Sequence, residues 1–171
     1  MRLFFALWPP AATITALVDW AGQAQAMTGG KVIRAEAIHL TLVFLGEVDD
    51  SRVGDAIRAG RRIRVKPDAL PIEQAKVWSH NSIVWVGPHQ TPPALGSLAE
   101  SLRAQLRTEG FTIEPRPFAA HVTLIRKARR AARLPPLPAL EWPVRELTLV
   151  RSQLSGRGSS YEIIDRIGLV D

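Results

Sequence analysis

The chain contains no cysteine, which excludes disulfide staples, thiolate metal centres and a cysteine nucleophile, and fits a reducing cytoplasm. Long apolar runs are missing as well: no segment approaches the ~18 consecutive apolar residues of a membrane-spanning helix. The one stretch that imitates a secretory leader, Leu3 to Trp8, is cut by Pro9-Pro10 before it reaches the roughly seven residues a signal core needs. Asp19 also sits just ahead of the supposed cleavage region at Ala24-Gln25-Ala26. The expectation is a soluble, unprocessed, cytoplasmic protein with no membrane association. Also absent are a glycine-rich phosphate loop, a dinucleotide fingerprint and a nucleophile-elbow sequence. The four histidines, His39, His80, His89 and His121, show neither i,i+4 spacing nor cysteine partners, so no metal and no other cofactor is expected.

What is present is ordinary globular material with a basic bias. Apolar residues make up 46% and charged residues 22% of 171 positions, enough for one sizeable core or for two small lobes sharing an interface, and we read one compact unit. Twenty-two Lys and Arg against sixteen Asp and Glu leave a net charge of +6, with a pI of about 10.7. That balance admits a polyanion such as RNA as partner through phosphate attraction. The Arg61-Arg62-Ile63-Arg64 cluster and the stretch from Arg126 to Arg133 read first as solvated surface, although both could draw RNA toward a cleft.

Leu3 to Trp8 reads as a buried strand, and Pro9-Pro10 ends it and opens a helix in which Ile14, Leu17, Val18 and Ala21 recur at helical spacing. That helix fades near Met27-Thr28-Gly29-Gly30, and Ala37 to Leu45 follows as a strand closed by Gly46. Asp50 or Ser51 is placed to cap a second helix through Val53 and Ile57, before Pro67, and Leu70 to Trp78 reads as a strand. Then the pattern returns. Ile83 to Val86 is a strand, Pro92-Pro93 opens a helix with Leu95, Leu98, Leu102 and Leu106 as its stripe, Gly110 stops it, and a strand carrying His121 follows. The separation from Leu3 to His39 is 36 residues and that from Ile83 to His121 is 38, which predicts an internal duplication about a pseudo-twofold axis. Lys127 to Pro138, basic and then proline-rich, reads as an exposed loop. Val144 to Leu154 and Tyr161 to Leu169 read as a closing strand pair around Ser155-Gly156-Arg157-Gly158.

The duplication carries chemistry. His39-Leu40-Thr41-Leu42 and His121-Val122-Thr123-Leu124 are one pattern written twice, 82 positions apart. Side chains alternate along a strand, so each His and Thr share a face, about 6.6 Å apart, while the aliphatic residues point to the core. Two such arms could clamp one phosphate. Opening a cyclic phosphodiester in line needs a base for the attacking water and an acid for the departing ribose oxygen, on opposite sides, and two facing imidazoles supply both. With an ordinary pKa near 6.5, a histidine is readily neutral at one position and protonated at the other. Thr41, Thr123 and Arg126, five residues after His121, would stabilise charge on the non-bridging oxygens. A lone His in an apolar strand is usually a hydrogen-bonded structural residue, and a lone Thr there reflects β propensity. It is the repetition at equivalent positions that points to a shared cleft. His80 and His89, beside Asn81-Ser82 and Pro88, read as exposed turn residues.

Three segments carry a family resemblance over nearly the whole length: Arg2-Leu3-Phe4-Phe5-Ala6-Leu7; Ile38 through Val48 around the first motif; and Arg116-Pro117-Phe118 followed by His121 through Arg126. They resemble the two-histidine phosphoesterase superfamily, and within it the RNA 2′,3′-cyclic phosphodiesterases, historically called 2′-5′ RNA ligases. The resemblance implies an α+β fold in which duplicated β-α-β units and antiparallel-rich sheets surround a central cleft, a single bilobal domain over residues 1–171; a monomer is expected. It implies metal-independent opening of a 2′,3′-cyclic phosphate, at an RNA end or on a small cyclic nucleotide, to a 2′-phosphomonoester. It also implies His39 as proton donor and His121 as proton acceptor. Ala120 stands where the family commonly has proline, which leaves the lead-in to the second motif less constrained. Two other readings stay open: reversible 2′-5′ joining of RNA ends by the same acid and base, and a non-catalytic nucleotide- or RNA-binding module.

Overall fold

Proline pairs punctuate the chain twice, and each time a strand stops and a helix starts. The structure, a computed structural model, describes residues 1–129 and 133–169. β1 (Arg2–Leu7) ends before Pro9-Pro10, and α1 (Ala11–Thr28) begins directly after. A two-residue strand, β2 (Lys31–Val32), and a 3-10 turn at Ala35–Ala37 lead into β3 (Leu40–Glu47). α2 (Val53–Arg61), β4 (Ala69–Ile72) and β5 (Gln74–Trp78) close the first half. The second runs through β6 (Ile83–Gly87), α3 (Pro93–Thr108), β7 (Val122–Arg126), β8 (Leu140–Pro143), β9 (Glu146–Ser155) and β10 (Gly158–Gly168). Pro93 occupies the first turn of α3, where its missing N–H costs nothing, and Gly110 at φ +85° terminates the helix.

Two four-stranded sheets result, in the orders β10-β9-β1-β3 and β2-β7-β6-β5, with β4 and β8 as a separate ribbon. All described pairings are antiparallel. β1 lies between β3 and β9 as β6 lies between β7 and β5, so the expected α+β fold with a duplicated repeat is present. The repetition extends to an irregularity. Register slips between Phe5/Ala6 and the β3 partners Val43/Thr41, leaving Leu42 extra, and between Val84/Trp85 and the β7 partners Ile125/Thr123, leaving Leu124 extra. A bulge therefore follows each motif threonine by one residue. Bulges bend a strand and re-aim its side chains, and here both members of each step, Leu42 with Val43 and Leu124 with Ile125, are buried.

One continuous core holds both sheets to the helices. Leu3, Phe5 and Leu7 of β1 join Val84 and Val86 of β6, Leu17 and Trp20 of α1, and the α3 stripe Leu95, Leu98, Leu102 and Leu106, each essentially without solvent exposure. The opposite face of the first sheet carries a smaller cluster, Phe4, Ala6 and Val150, with Trp8 and Tyr161 packed against it. No helix among the described residues is long and apolar enough to cross a membrane.

Several local expectations need correction. The run Leu70 to Trp78 is two strands, not one: it changes sheets at Glu73, with β4 pairing β8 and β5 pairing β6. The cap ahead of α2 is Asp49, whose carboxylate accepts from the Ser51 N–H at 2.9 Å, because a 3-10 turn over Asp50–Arg52 precedes the α-helix. The first motif strand begins at Leu40, later than expected, since Ala35–Ala37 turns. Within Lys127 to Pro138, residues 130–132 lie outside the described residues, and the rest is not simply exposed. Ala128 is buried, Leu134 and Leu137 pack on the core, and the Pro135 carbonyl accepts the indole N–H of Trp20 at 3.2 Å. Most buried indole donors find such an acceptor.

Gly87, at the end of β6, is where the second motif is threaded into place. A Cβ there would meet the Ala120 carbonyl oxygen at 2.7 Å and the His121 Cα at 3.5 Å. Since backbone cannot swing aside as a flexible side chain can, Gly87→Ala is expected to destabilise the protein by about 1–3 kcal/mol. Thermal unfolding checks the loss, and the His121 amide and ring resonances should move while those of His39 stay.

Candidate active site

The core decides where the motif side chains point. Leu40 and Leu42, and equally Val122 and Leu124, are at most 3% exposed. Burying them turns His39, Thr41, His121 and Thr123 to the other side of their strands, where all four are half-buried. Each histidine stands one residue ahead of its strand and uses its ring in the same way. His39 Nδ1–H donates to the Ala37 carbonyl at 2.7 Å, and His121 Nδ1–H donates to the Ala119 carbonyl at 2.9 Å. With Nδ1 occupied as a donor, the neutral ring presents its lone pair at Nε2. His39 Nε2 lies 3.1 Å from the Thr41 hydroxyl, which donates to it when the ring is neutral.

Both rings open onto one cleft of about 630 Å³ between the two four-stranded sheets, and Thr41, Thr123 and Arg126 line it too. All five residues singled out in the sequence are thus brought together. Among the described residues the cleft wall also carries Arg2, Lys31, Arg34 and Arg157, and no carboxylate. Among the described residues only Arg34 of these cations has an acidic partner, Glu36 at 3.5 Å. Such a wall attracts anions. His80 and His89 are exposed, as expected of turn residues, and do not line the cleft. Among the described residues, no three His, Asp or Glu side chains gather as a metal-holding cluster.

The histidines differ in what surrounds them. The His39 ring stacks on Trp8, 4.8 Å between centroids at 14°, with Tyr161 edge-on at 5.1 Å and Phe4 at 5.2 Å. The His121 ring meets Trp78 at 4.8 Å and Trp85 at 6.3 Å. Burial among aromatics lowers the His39 pKa to about 4; the Ala37 carbonyl opposes the shift, and the positive charges of Arg126 and His121 add to it. In the free protein at neutral pH, His39 is an uncharged ring.

Sequence reasoning missed these aromatic walls and four of the five cleft cations. Trp8 and Trp78 stand at strand ends, where alternation gives no facing, and Arg157 sits in a turn that looked like a mere connection. Lys31 belongs to a strand too short to show any period.

Comparison with known proteins adds three findings. A family model described as "LigT like Phosphoesterase" matches residues 7–85 and again 86–159. The RNA 2′,3′-cyclic phosphodiesterases of Escherichia coli and Thermus thermophilus are similar along their lengths. The first is 34% identical over 98% of this chain and 96% of the relative, the second 33% identical over 99% and 90%. Among solved structures, Escherichia coli LigT complexed with 3′-AMP is similar at a TM-score of 0.90 and 33% identity, covering 99% of this chain and 98% of that one.

The lowered pKa has a measurable signature. The His39 ring protons should titrate near pH 4 in the free protein, and added inorganic phosphate should raise the midpoint; a midpoint above 6 without phosphate would contradict the burial described. Because the unfolded chain takes up this proton near pH 6.5 and the fold only near pH 4, the unfolding free energy should fall as pH is lowered through that window. His39→Gln should remove that part of the slope in chemical denaturation.

Proposed function

The chain belongs to the LigT-like phosphoesterase family, whose members similar to it over nearly their full length are RNA 2′,3′-cyclic phosphodiesterases, and from this premise we propose that its cleft hydrolyses ribose 2′,3′-cyclic phosphates to 2′-phosphomonoesters without a metal. One observation carries the reading: two imidazoles, each oriented by the same backbone bond, face from separate sheets a single cleft that, among the described residues, is lined by cations and no carboxylate. Water attacks phosphorus, the bond from phosphorus to the 3′ oxygen breaks, and that oxygen leaves with a proton. His121 Nε2 takes the proton from water, and His39 Nε2–H supplies the one the 3′ oxygen needs. The Thr41 and Thr123 hydroxyls and the Arg126 guanidinium hold the non-bridging oxygens as charge builds on them.

For His39 to donate, the substrate must charge it. A bound phosphodiester brings one negative charge beside the ring and offsets the repulsion from Arg126, while the Trp8 face favours the imidazolium. An imidazolium held in so dry a place is also a stronger acid than a solvated one. The opposite division, with His39 as acceptor and His121 as donor, is favoured by one observation, the low His39 pKa of the free protein. A p-nitrophenyl phosphodiester separates the two, because its leaving group needs no proton. The variant lacking the donor should keep most of its activity on that ester, and the variant lacking the acceptor should not. Joining to a 2′-5′ linkage is the same step with a 5′-hydroxyl in place of water, and following end groups on RNA with cyclic phosphate ends shows which nucleophile prevails.

On a 2′,3′-cyclic phosphate substrate, His39→Ala and His121→Ala should each lower kcat on the order of 10²- to 10⁴-fold with the fold intact. Activity should survive EDTA and follow a bell-shaped pH profile. Wild-type turnover in both variants would take the two histidines out of the chemistry, no turnover by wild type itself would leave a binding module, and a profile flat from about pH 5 to 9 would exclude histidine acid–base catalysis.

A further inference from the structure

Phe44, Leu154 and Arg157 line the cleft, yet the reaction above uses none of them. Three large apolar side chains stand exposed among the described residues, and two of them are here, Phe44 at 60% and Leu154 at 71%. Leu154 and Arg157 sit on a projecting tip. β9 loses β1 as a partner after Ser152, so Gln153–Ser155 and Gly158–Ser160 continue as a two-stranded hairpin. The hairpin borders the cleft: at its base the Tyr161 ring lies 5.1 Å from that of His39, and the Ser159 carbonyl, across the ladder from Leu154, accepts from Arg34 at 3.0 Å. Leu154 stands two residues beyond Ser152, the register partner of Tyr161, about 7 Å further along the strand. That displacement is about one extended nucleotide away from the ring touching His39. On the other flank, Phe44 pairs with Phe4, with ring centroids 5.8 Å apart, and Phe4 in turn touches His39.

Resting on the phosphodiesterase reading, we infer that this rim is a subsite for the nucleotide 5′ to the cyclised one, with Phe44 and Leu154 contacting bases and Arg157 the internucleotide phosphate. A cyclic mononucleotide has no second base and no internucleotide phosphate to set at the hairpin tip, whereas an RNA strand brings both. Exposed apolar groups beside a cation with no carboxylate partner suit single-stranded nucleic acid, whose bases offer apolar faces and whose backbone is anionic. Among the described residues the wall has five cations and no carboxylate, which gives an acidic or neutral peptide no such alternation of partners.

Steady-state kinetics on 2′,3′-cyclic AMP and on the dinucleotide ApA ending in a 2′,3′-cyclic phosphate test this. Wild type should favour the dinucleotide roughly tenfold in kcat/KM. Leu154→Ser, and separately Phe44→Ala, should erase most of that preference while leaving cyclic AMP turnover and the melting temperature unchanged. Arg157→Gln alone should reduce the salt dependence on the dinucleotide by about one unit of log–log slope. Equal treatment of both substrates by wild type, or variants that lower both rates alike, would overturn the subsite. If wild type opens neither cyclic phosphate, the phosphodiesterase reading falls by itself. Fluorescence anisotropy with a labelled, 3′-phosphorylated oligoribonucleotide then decides the subsite: weaker binding by the same variants upholds it, and unchanged binding refutes it.

Discussion

The bond from each histidine Nδ1–H to the carbonyl two residues upstream is what the cleft depends on. It selects the tautomer, fixes the ring plane and leaves Nε2 as the atom that meets whatever enters. Because the acceptor is backbone, its position is set by how the chain approaches the strand rather than by a neighbouring side chain. On one side a 3-10 turn over Ala35–Ala37 delivers the Ala37 carbonyl; on the other, an irregular segment passing close over Gly87 delivers that of Ala119. The buried aliphatic residues flanking each motif then hold the register against a one-residue slip, which would turn both imidazoles into the core.

Symmetric positioning does not produce symmetric chemistry. Thr41 lies opposite Ala6 in its sheet, whereas Thr123 lies opposite Trp85. A small partner on the first side leaves the space into which Trp8, Phe4 and Tyr161 gather around His39. On the second side the bulk is in the ladder itself, and the cover over His121 is Trp78 and Trp85. One backbone device thus holds two rings in different surroundings, the arrangement an acid and a base of the same residue type require.

Much of this was legible in the sequence, and what was legible follows from period and repetition. The α3 stripe, the proline pairs and the doubled motif each state their structure locally. The fates of Leu42 and Leu124 were only half legible: alternation places them in the core, but the bulge that buries Val43 and Ile125 beside them breaks the period of two and has no signal in a single strand. Short pairings such as β2 with β7 and β4 with β8 are decided by which edge is free in three dimensions. The same holds for the gathered cations, because Arg2, Lys31, Arg34, Arg126 and Arg157 come from scattered segments that share nothing until the sheets close on each other.

Both halves contribute to one uninterrupted core, and the cleft exists only where equivalent elements of the two halves meet. A single half with this design could form neither by itself. Two identical copies in an isologous dimer would give both histidines the same neighbours; carried on one chain, the two rings have different ones, Trp8 and Tyr161 about His39 and Trp78 and Trp85 about His121.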